Sequence, residues 1–124
     1  MAGSITVTTT QSGGISKYSI AWLSDASGDV SANSFNVKQG ELLQVRTTPS
    51  VAAAPTDNYD VVINDANTYD ILGGLGANRD TANTEMIVPV VSTTFPLILE
   101  AGALTPVVSN AGNAKQGTIV LLVR

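Results

Sequence analysis

The chain carries few side chains that could do chemistry. It has no His and no Cys among its 124 residues, so imidazole proton transfer and thiolate attack are excluded. Ten Asp and Glu remain as candidates for acid–base work or for cation binding. Whatever chemistry the chain performs must therefore use carboxylates, hydroxyls, amides, the six Lys and Arg side chains or the backbone.

The aspartates gather in loops that are also rich in Asn. They are Asp57, Asp60, Asp65, Asp70 and Asp80. Carboxylate and amide oxygens bind calcium, but these loops lack the spacing, the central Gly and the final Glu of an EF-hand loop. Because Asp and Asn in turns usually bond to their own backbone, we expect no metal and no cofactor.

Two short segments are weak matches to catalytic motifs. Asp80–Ala82 lacks the Gly that ends an aspartic-protease triplet, and a glycosidase pair could be drawn between any two carboxylates. Ser16 and Lys17 are adjacent, so on a strand their side chains point to opposite faces. We therefore predict that the protein is not an enzyme.

A glycine-rich loop at Gly73–Arg79 begins like a dinucleotide fingerprint. Arg79 stands where the third Gly is required, and no helix or parallel strand follows. The loop also contains a Gly-x-x-Gly, but the basic surroundings that bind an RNA backbone are missing. We interpret it as a loop whose glycines allow tight turns.

The charge balance disfavours anionic partners. The net charge is −4 and the six Lys and Arg are scattered, so neither nucleic acid nor an anionic membrane is an expected partner. No apolar run approaches the roughly 20 residues of a membrane-spanning helix. Met1–Ile5 lacks the basic and apolar regions of a signal peptide, so we expect synthesis in the cytosol.

Short alternating segments closed by Gly, Asn, Asp, Ser or Pro dominate the chain, which predicts about eight or nine strands. These strands are drawn from ten candidate segments, Ser4–Thr10, Ile15–Ser24, Val30–Val37, Leu42–Thr48, Asn58–Asn64, Tyr69–Leu72, Thr84–Val91, Phe95–Glu100, Leu104–Ser109 and Thr118–Val123. We therefore expect one all-β domain over residues 1–124, an antiparallel β-sandwich or small barrel, with residues 1–12 as an extended N-terminal arm or as an edge strand.

Several positions within these elements have specific expectations. Trp22 falls on the apolar face of its strand and is expected at the centre of the core. Thr118–Val123 is apolar on both faces, so it should lie in the middle of a sheet. Pro89 predicts an edge or a bulge, and Gly73–Asn83 is the longest loop, with room for one helical turn.

Four stretches carry a resemblance to a known group of proteins. They are Ile20–Ser31, Ala54–Val61, Ile71–Asn78 and Ser109–Arg124. Together they resemble small virion proteins encoded near the major capsid gene of tailed bacteriophages. The resemblance implies a capsid decoration (cement) protein on the outside of the phage head. Its partner would be the major capsid protein, and we expect a homo-oligomer, for example a trimer, at the capsid surface.

We place the partner-binding surface on the arm Ala2–Thr10 and on the loops Pro49–Thr56 and Gly73–Asn83. The arm could add to a neighbour's sheet edge, or it could pair with its own sheet. The loops are rich in small residues that pack at little entropic cost. The individual candidates are Ile5, Val7, Pro49, Val51, Pro55, Leu75, Asn78 and Arg79.

Two other function classes fit the same residues. One is another virion component, such as a tail, head–tail joining or head-fibre subunit, which would occur in far fewer copies. The other is an immunoglobulin-like module that binds glycans or a cell surface. Tyr18, Trp22, Tyr59 and Tyr69 are its candidates for stacking on a sugar, but three of them fall on the apolar side of strands, which favours core packing.

Overall fold

The structure is a computed structural model that describes residues 3–91 and 95–124. Its strands are β1 (Ser4–Ser12), β2 (Ile15–Leu23), β3 (Phe35–Val37), β4 (Gly40–Pro49), β5 (Asp60–Asn64), β6 (Glu85–Ile87), β7 (Val90–Val91), β8 (Phe95–Leu99), β9 (Gly102–Ser109) and β10 (Gln116–Val123). Over these two ranges there is no helix, and hence none long and apolar enough to cross a membrane.

The strands form two antiparallel sheets. The larger has the order β1-β2-β10-β4-β8-β7, with β6 also paired to β4, and the smaller has the order β3-β9-β5. Both sheets contribute to one hydrophobic core. The protein is therefore an all-β antiparallel sandwich, as predicted.

Aromatic side chains join the two sheets in the core. Trp22 on β2 is only 3% exposed, and its ring lies 5.7 Å from that of Tyr59, which directly precedes β5. Tyr18 lies 5.9 Å from Phe35 on β3, and its hydroxyl accepts a hydrogen bond of 3.0 Å from the backbone N–H of Lys38. The predicted burial of Trp22 is confirmed.

The last strand is central, as its two apolar faces predict. β10 pairs with β2 on one side and with β4 on the other. Ile119 and Leu121 are fully buried on the core face, and Val120 on the opposite face is only 8% exposed. An exposed strand of this composition would pair with other chains, and its position between two partners prevents this.

Four predicted elements differ from the structure. Only Phe35–Val37 of the predicted strand Val30–Val37 is strand, while Val30 makes a single bridge to Val108. Tyr69–Leu72 is not a strand, because the Asp70 carboxylate accepts the N–H groups of Ile63, Leu72 and Gly74 and holds the chain in turns. The predicted strand Thr84–Val91 is interrupted at Pro89, between β6 and β7, and Gly73–Asn83 contains turns but no helical turn.

Candidate binding surfaces

The N-terminal segment pairs with its own sheet over its whole described length. Every residue from Ser4 to Ser12 has a partner on β2, and the partly buried Ile5 and Val7 pack against the core. Ala2, the first residue of the predicted arm, lies outside the described residues. Within the described part of the chain no strand pairs with the other edge of β1, so that edge can still accept a strand.

The loop Pro49–Thr56 offers one of its three predicted contact residues. Val51 is fully exposed, whereas Pro49 ends β4 and is buried, and Pro55 is buried as well. The side chains of Pro49 and Pro55 therefore serve the monomer's own packing and are not available to a partner in this structure.

The glycine-rich loop is hydrogen-bonded along the outer edge of β5, the edge that does not pair with β9. The N–H of Val61 donates to the Gly76 carbonyl at 2.8 Å, and the N–H of Asn78 donates to Asp60 Oδ1 at 2.9 Å. At Gly76 an added Cβ would collide with the Val61 carbonyl oxygen, so only glycine fits this close approach. The loop thus carries Leu75 outward on a fixed backbone, with its side chain half-exposed.

Leu75 and Arg79, both predicted contact residues, lie beside the exposed side chains of Met86 and Val88. These four residues line a shallow depression of about 230 Å³ with Ile87, and we call them the edge patch. Exposure is 50% for Leu75, 62% for Met86 and 58% for Val88. The edge patch therefore brings three exposed large apolar side chains together in one depression.

Arg79 does not give the edge patch a free positive charge. Its Nη1 lies 3.6 Å from Glu85 Oε1, and its Nη2 donates to the Ala77 carbonyl at 3.1 Å. Asn78, next to it, is exposed outside the depression. The edge patch therefore presents three apolar side chains together with an Arg whose charge is paired with Glu85.

Met86 and Val88 were missed by the sequence analysis. Both faces of Thr84–Val91 carry apolar residues, since Ile87 and Pro89 alternate with Met86 and Val88. The alternation of side chains therefore does not predict which face of this segment is buried. Ile87 is buried because β6 pairs with β4 and places it opposite Val45.

The aspartates of the loops act as acceptors for the backbone. Asp25, Asp57, Asp60, Asp65, Asp70 and Asp80 each accept at least one backbone N–H. Among residues 3–91 and 95–124, no group of three acidic side chains is placed to hold a metal ion. These carboxylates have a structural role in shaping the loops.

Hydrogen bonding lowers the pKa of two of these carboxylates. At Asp25 the main cause is the backbone N–H of Asp29, with further N–H groups from Ser27 and Gly28. At Asp80 the side chain of Asn83 contributes most, followed by the backbone N–H of Ala82. Bonds to the charged form favour it over the neutral acid, so both groups stay ionised at a lower pH than usual.

The fold explains the positions of Ser16, Lys17 and Asp80, which belong to the weak catalytic motifs. Ser16 is buried and Lys17 is exposed, so the two side chains lie on opposite faces of β2, as predicted. Asp80 uses its carboxylate to cap the turn that contains Ala82 and Asn83.

A second concave site lies at one end of the sandwich. It is a groove of about 240 Å³ between the turn after β5 and the connection from β8 to β9, and we call it the Tyr69 groove. Tyr69 is 56% exposed there, whereas Tyr18, Trp22 and Tyr59 are buried, which confirms core packing for those three. The polar side chains that line the groove are Asp65, Asn67, Tyr69 and Glu100.

Comparisons with known proteins give one structural similarity. No protein-family model and no curated protein matches the sequence. Among solved structures, the chain is similar to a carbohydrate-binding module from Cellvibrio mixtus lichenase 5A in complex with cellotriose. The identity is 15%, 98% of this chain and 88% of that chain are covered, and the TM-score is 0.34. At this level the similarity says nothing about what the present chain binds.

Proposed function

We propose that this protein is a structural component of a tailed-phage particle. It docks on the outside of the assembled capsid and ties neighbouring major capsid subunits together, as a decoration protein does. The observation that carries the proposal is the edge patch, where Leu75, Met86 and Val88 are each at least half-exposed and share one depression.

The physical properties of the edge patch suit a permanent protein contact. Its three apolar side chains gain free energy when they leave water, at roughly 25 cal/mol for each Å² buried. Arg79 already has Glu85 as a partner, so docking leaves no unpaired charge behind. The fixed backbone of the glycine-rich loop keeps Leu75 in place before binding, which lowers the entropic cost.

The composition and the sequence resemblance support the same role. Only 13% of the residues are charged, which leaves little electrostatic repulsion against a protein surface. Two of the four stretches that resemble phage virion proteins, Ala54–Val61 and Ile71–Asn78, come together where Val61 bonds to Gly76 beside the edge patch. The capsid is therefore the partner we propose.

The test uses purified capsids that lack this protein. Adding the wild-type protein should raise the temperature at which the capsids open, and Val88→Asp should bind at least about tenfold more weakly because a buried carboxylate has no partner there. Thr8→Asp is the matched control, since it places the same charge on β1 at the opposite edge of the large sheet. The proposal fails if capsids open at the same temperature with and without the protein. It also fails if Thr8→Asp abolishes binding and Val88→Asp does not.

A further inference from the structure

We propose that the Tyr69 groove is a binding site for a small neutral saccharide. The inference does not depend on the proposed docking to capsids, because the edge patch and the Tyr69 groove share no residues. It rests on a concave site in which an exposed aromatic ring stands beside oxygen acceptors and an amide.

The turn that carries Tyr69 is organised before any ligand binds. Asp65 Oδ1 accepts the N–H groups of Asn67 at 2.9 Å and of Tyr69 at 3.0 Å. The Tyr69 carbonyl in turn accepts the N–H of Asp65 at 2.9 Å. Because the backbone of this turn is already ordered, little of its conformational entropy is lost when a ligand binds to Tyr69.

The ring of Tyr69 supplies an apolar platform. A pyranose presents a face of C–H groups whose hydrogens are slightly positive, and the negative face of an aromatic ring attracts them. Tyr69 keeps 56% of its surface exposed and lines the groove, so its ring is open to a ligand.

The remaining lining fits hydroxyl groups. Asp65 and Glu100 present carboxylate oxygens that accept bonds from hydroxyls, and the Asn67 side chain can both donate and accept. Gly102 and its neighbours Ala101 and Ala103 line the opposite wall and leave room for a ring.

The charge and the size of the groove define the ligand class. The described lining residues include two acidic side chains and no Lys or Arg, so an anionic sugar or a phosphate is disfavoured. The volume of about 240 Å³ is below the roughly 300–1,000 Å³ of sites for drug-sized ligands, which favours one or two sugar rings.

A lysine side chain is the competing ligand, because an ammonium also binds carboxylates and aromatic faces. Asp65 argues against it, since its Oδ1 already accepts two N–H groups that offset part of its charge. The apolar wall at Ile71 and Leu104 adds no attraction for a cation. The groove as a whole therefore favours a neutral polyol ring.

The experiment is an NMR titration of the ¹⁵N-labelled full chain with glucose, galactose, mannose and their disaccharides. We expect saturable shifts of the amides of Asn67, Tyr69 and Gly102 with a dissociation constant of about millimolar or tighter. Tyr69→Ala should raise that constant about tenfold or more, and Tyr69→Phe, which keeps the ring, should stay within about threefold. Val88→Asp, at the edge patch, should bind sugar as the wild type does.

A melting curve for each variant shows whether it is folded. If Tyr69→Ala unfolds, Asn67→Ala takes its place, because the Asn67 side chain is exposed and only its backbone N–H bonds to Asp65. The proposal is overturned if no sugar shifts these amides, or if the folded Tyr69 and Asn67 variants bind as tightly as the wild type. It is also overturned if Nα-acetyllysine methylamide binds instead with an affinity that added salt weakens.

Discussion

The substitution Gly117→Ala tests the packing of the core at one contact. Gly117 on β10 lies directly opposite Trp22 on β2 in the sheet register. A Cβ at position 117 would stand 2.5 Å from Cζ2, 2.8 Å from Cε2 and 2.9 Å from Nε1 of the indole. Tyr59 packs on the same indole, so the ring cannot move away without disturbing a second core residue.

The magnitude follows from two opposing effects. Forcing an extra methyl group into a packed core costs about 1–3 kcal/mol. Replacing Gly by Ala restricts the unfolded chain and returns about 0.4–1 kcal/mol where the backbone permits it. The steric effect prevails, so we expect Gly117→Ala to lower the free energy of unfolding by about 1–2 kcal/mol. The melting temperature should fall by roughly 4–8 °C for a domain of this size.

A double-mutant cycle measured by urea denaturation separates this clash from other causes of destabilisation. Trp22→Phe removes the ring atoms that the new methyl group would meet, so Gly117→Ala should be much less destabilising in that background. A Gly117→Ala protein as stable as the wild type, or equal destabilisation with Trp and with Phe at position 22, would show that the methyl group does not clash with the indole.

Three further perturbations test other parts of the fold. The pKa values of Asp25 and Asp80 are lowered in the folded state, so their stabilising effect is present at neutral pH and is lost as the pH falls below the usual value of 3.8. Asp80→Asn should therefore lose less stability than the wild type between neutral and acidic pH, and parallel pH profiles would contradict this. Ser24→Ala should cost about 1–3 kcal/mol in urea unfolding, because the buried Ser24 hydroxyl donates to the Gly112 carbonyl at 2.6 Å and accepts the Lys115 N–H at 2.8 Å. A loss below about 0.5 kcal/mol would be inconsistent with these bonds. Deleting residues 2–10 should lower the melting temperature of the isolated protein, because the deletion removes Ile5 and Val7 and uncovers β2; an unchanged melting temperature would mean that the segment does not support its own sheet.

The strands that the sequence predicts best are β2 and β10, because their apolar residues show which faces must be buried. β2 alternates from Tyr18 to Trp22, and both the strand and its buried face are as predicted. β10 has two apolar faces, and its central position follows from the need to cover both. In these two strands the local pattern and the global fold agree.

The differences arise where side chains override local propensity. Tyr69–Leu72 has the composition of a strand, but the carboxylate of Asp70 captures three backbone N–H groups and turns the chain instead. Pro55 looked like an exposed loop residue and is buried, because the loop folds back on the sandwich where the Thr56 N–H donates to the Ala111 carbonyl.

The two candidate sites depend on contacts between distant segments. Leu75 meets Met86 and Val88 only because the glycine-rich loop is bonded along β5. The Tyr69 groove needs the turn after β5 and the residues around Glu100 at the same end of the sandwich. A single sequence predicts each segment separately but does not show that these segments meet.

Hydrogen–deuterium exchange of the capsid-bound protein tests the proposed function most directly. We predict that binding to capsids slows exchange over residues 75–88, which span the edge patch, and leaves the outer edge of β1 unchanged. Absence of binding, or protection confined to β1, would contradict the claim that this protein docks on the capsid through Leu75, Met86 and Val88.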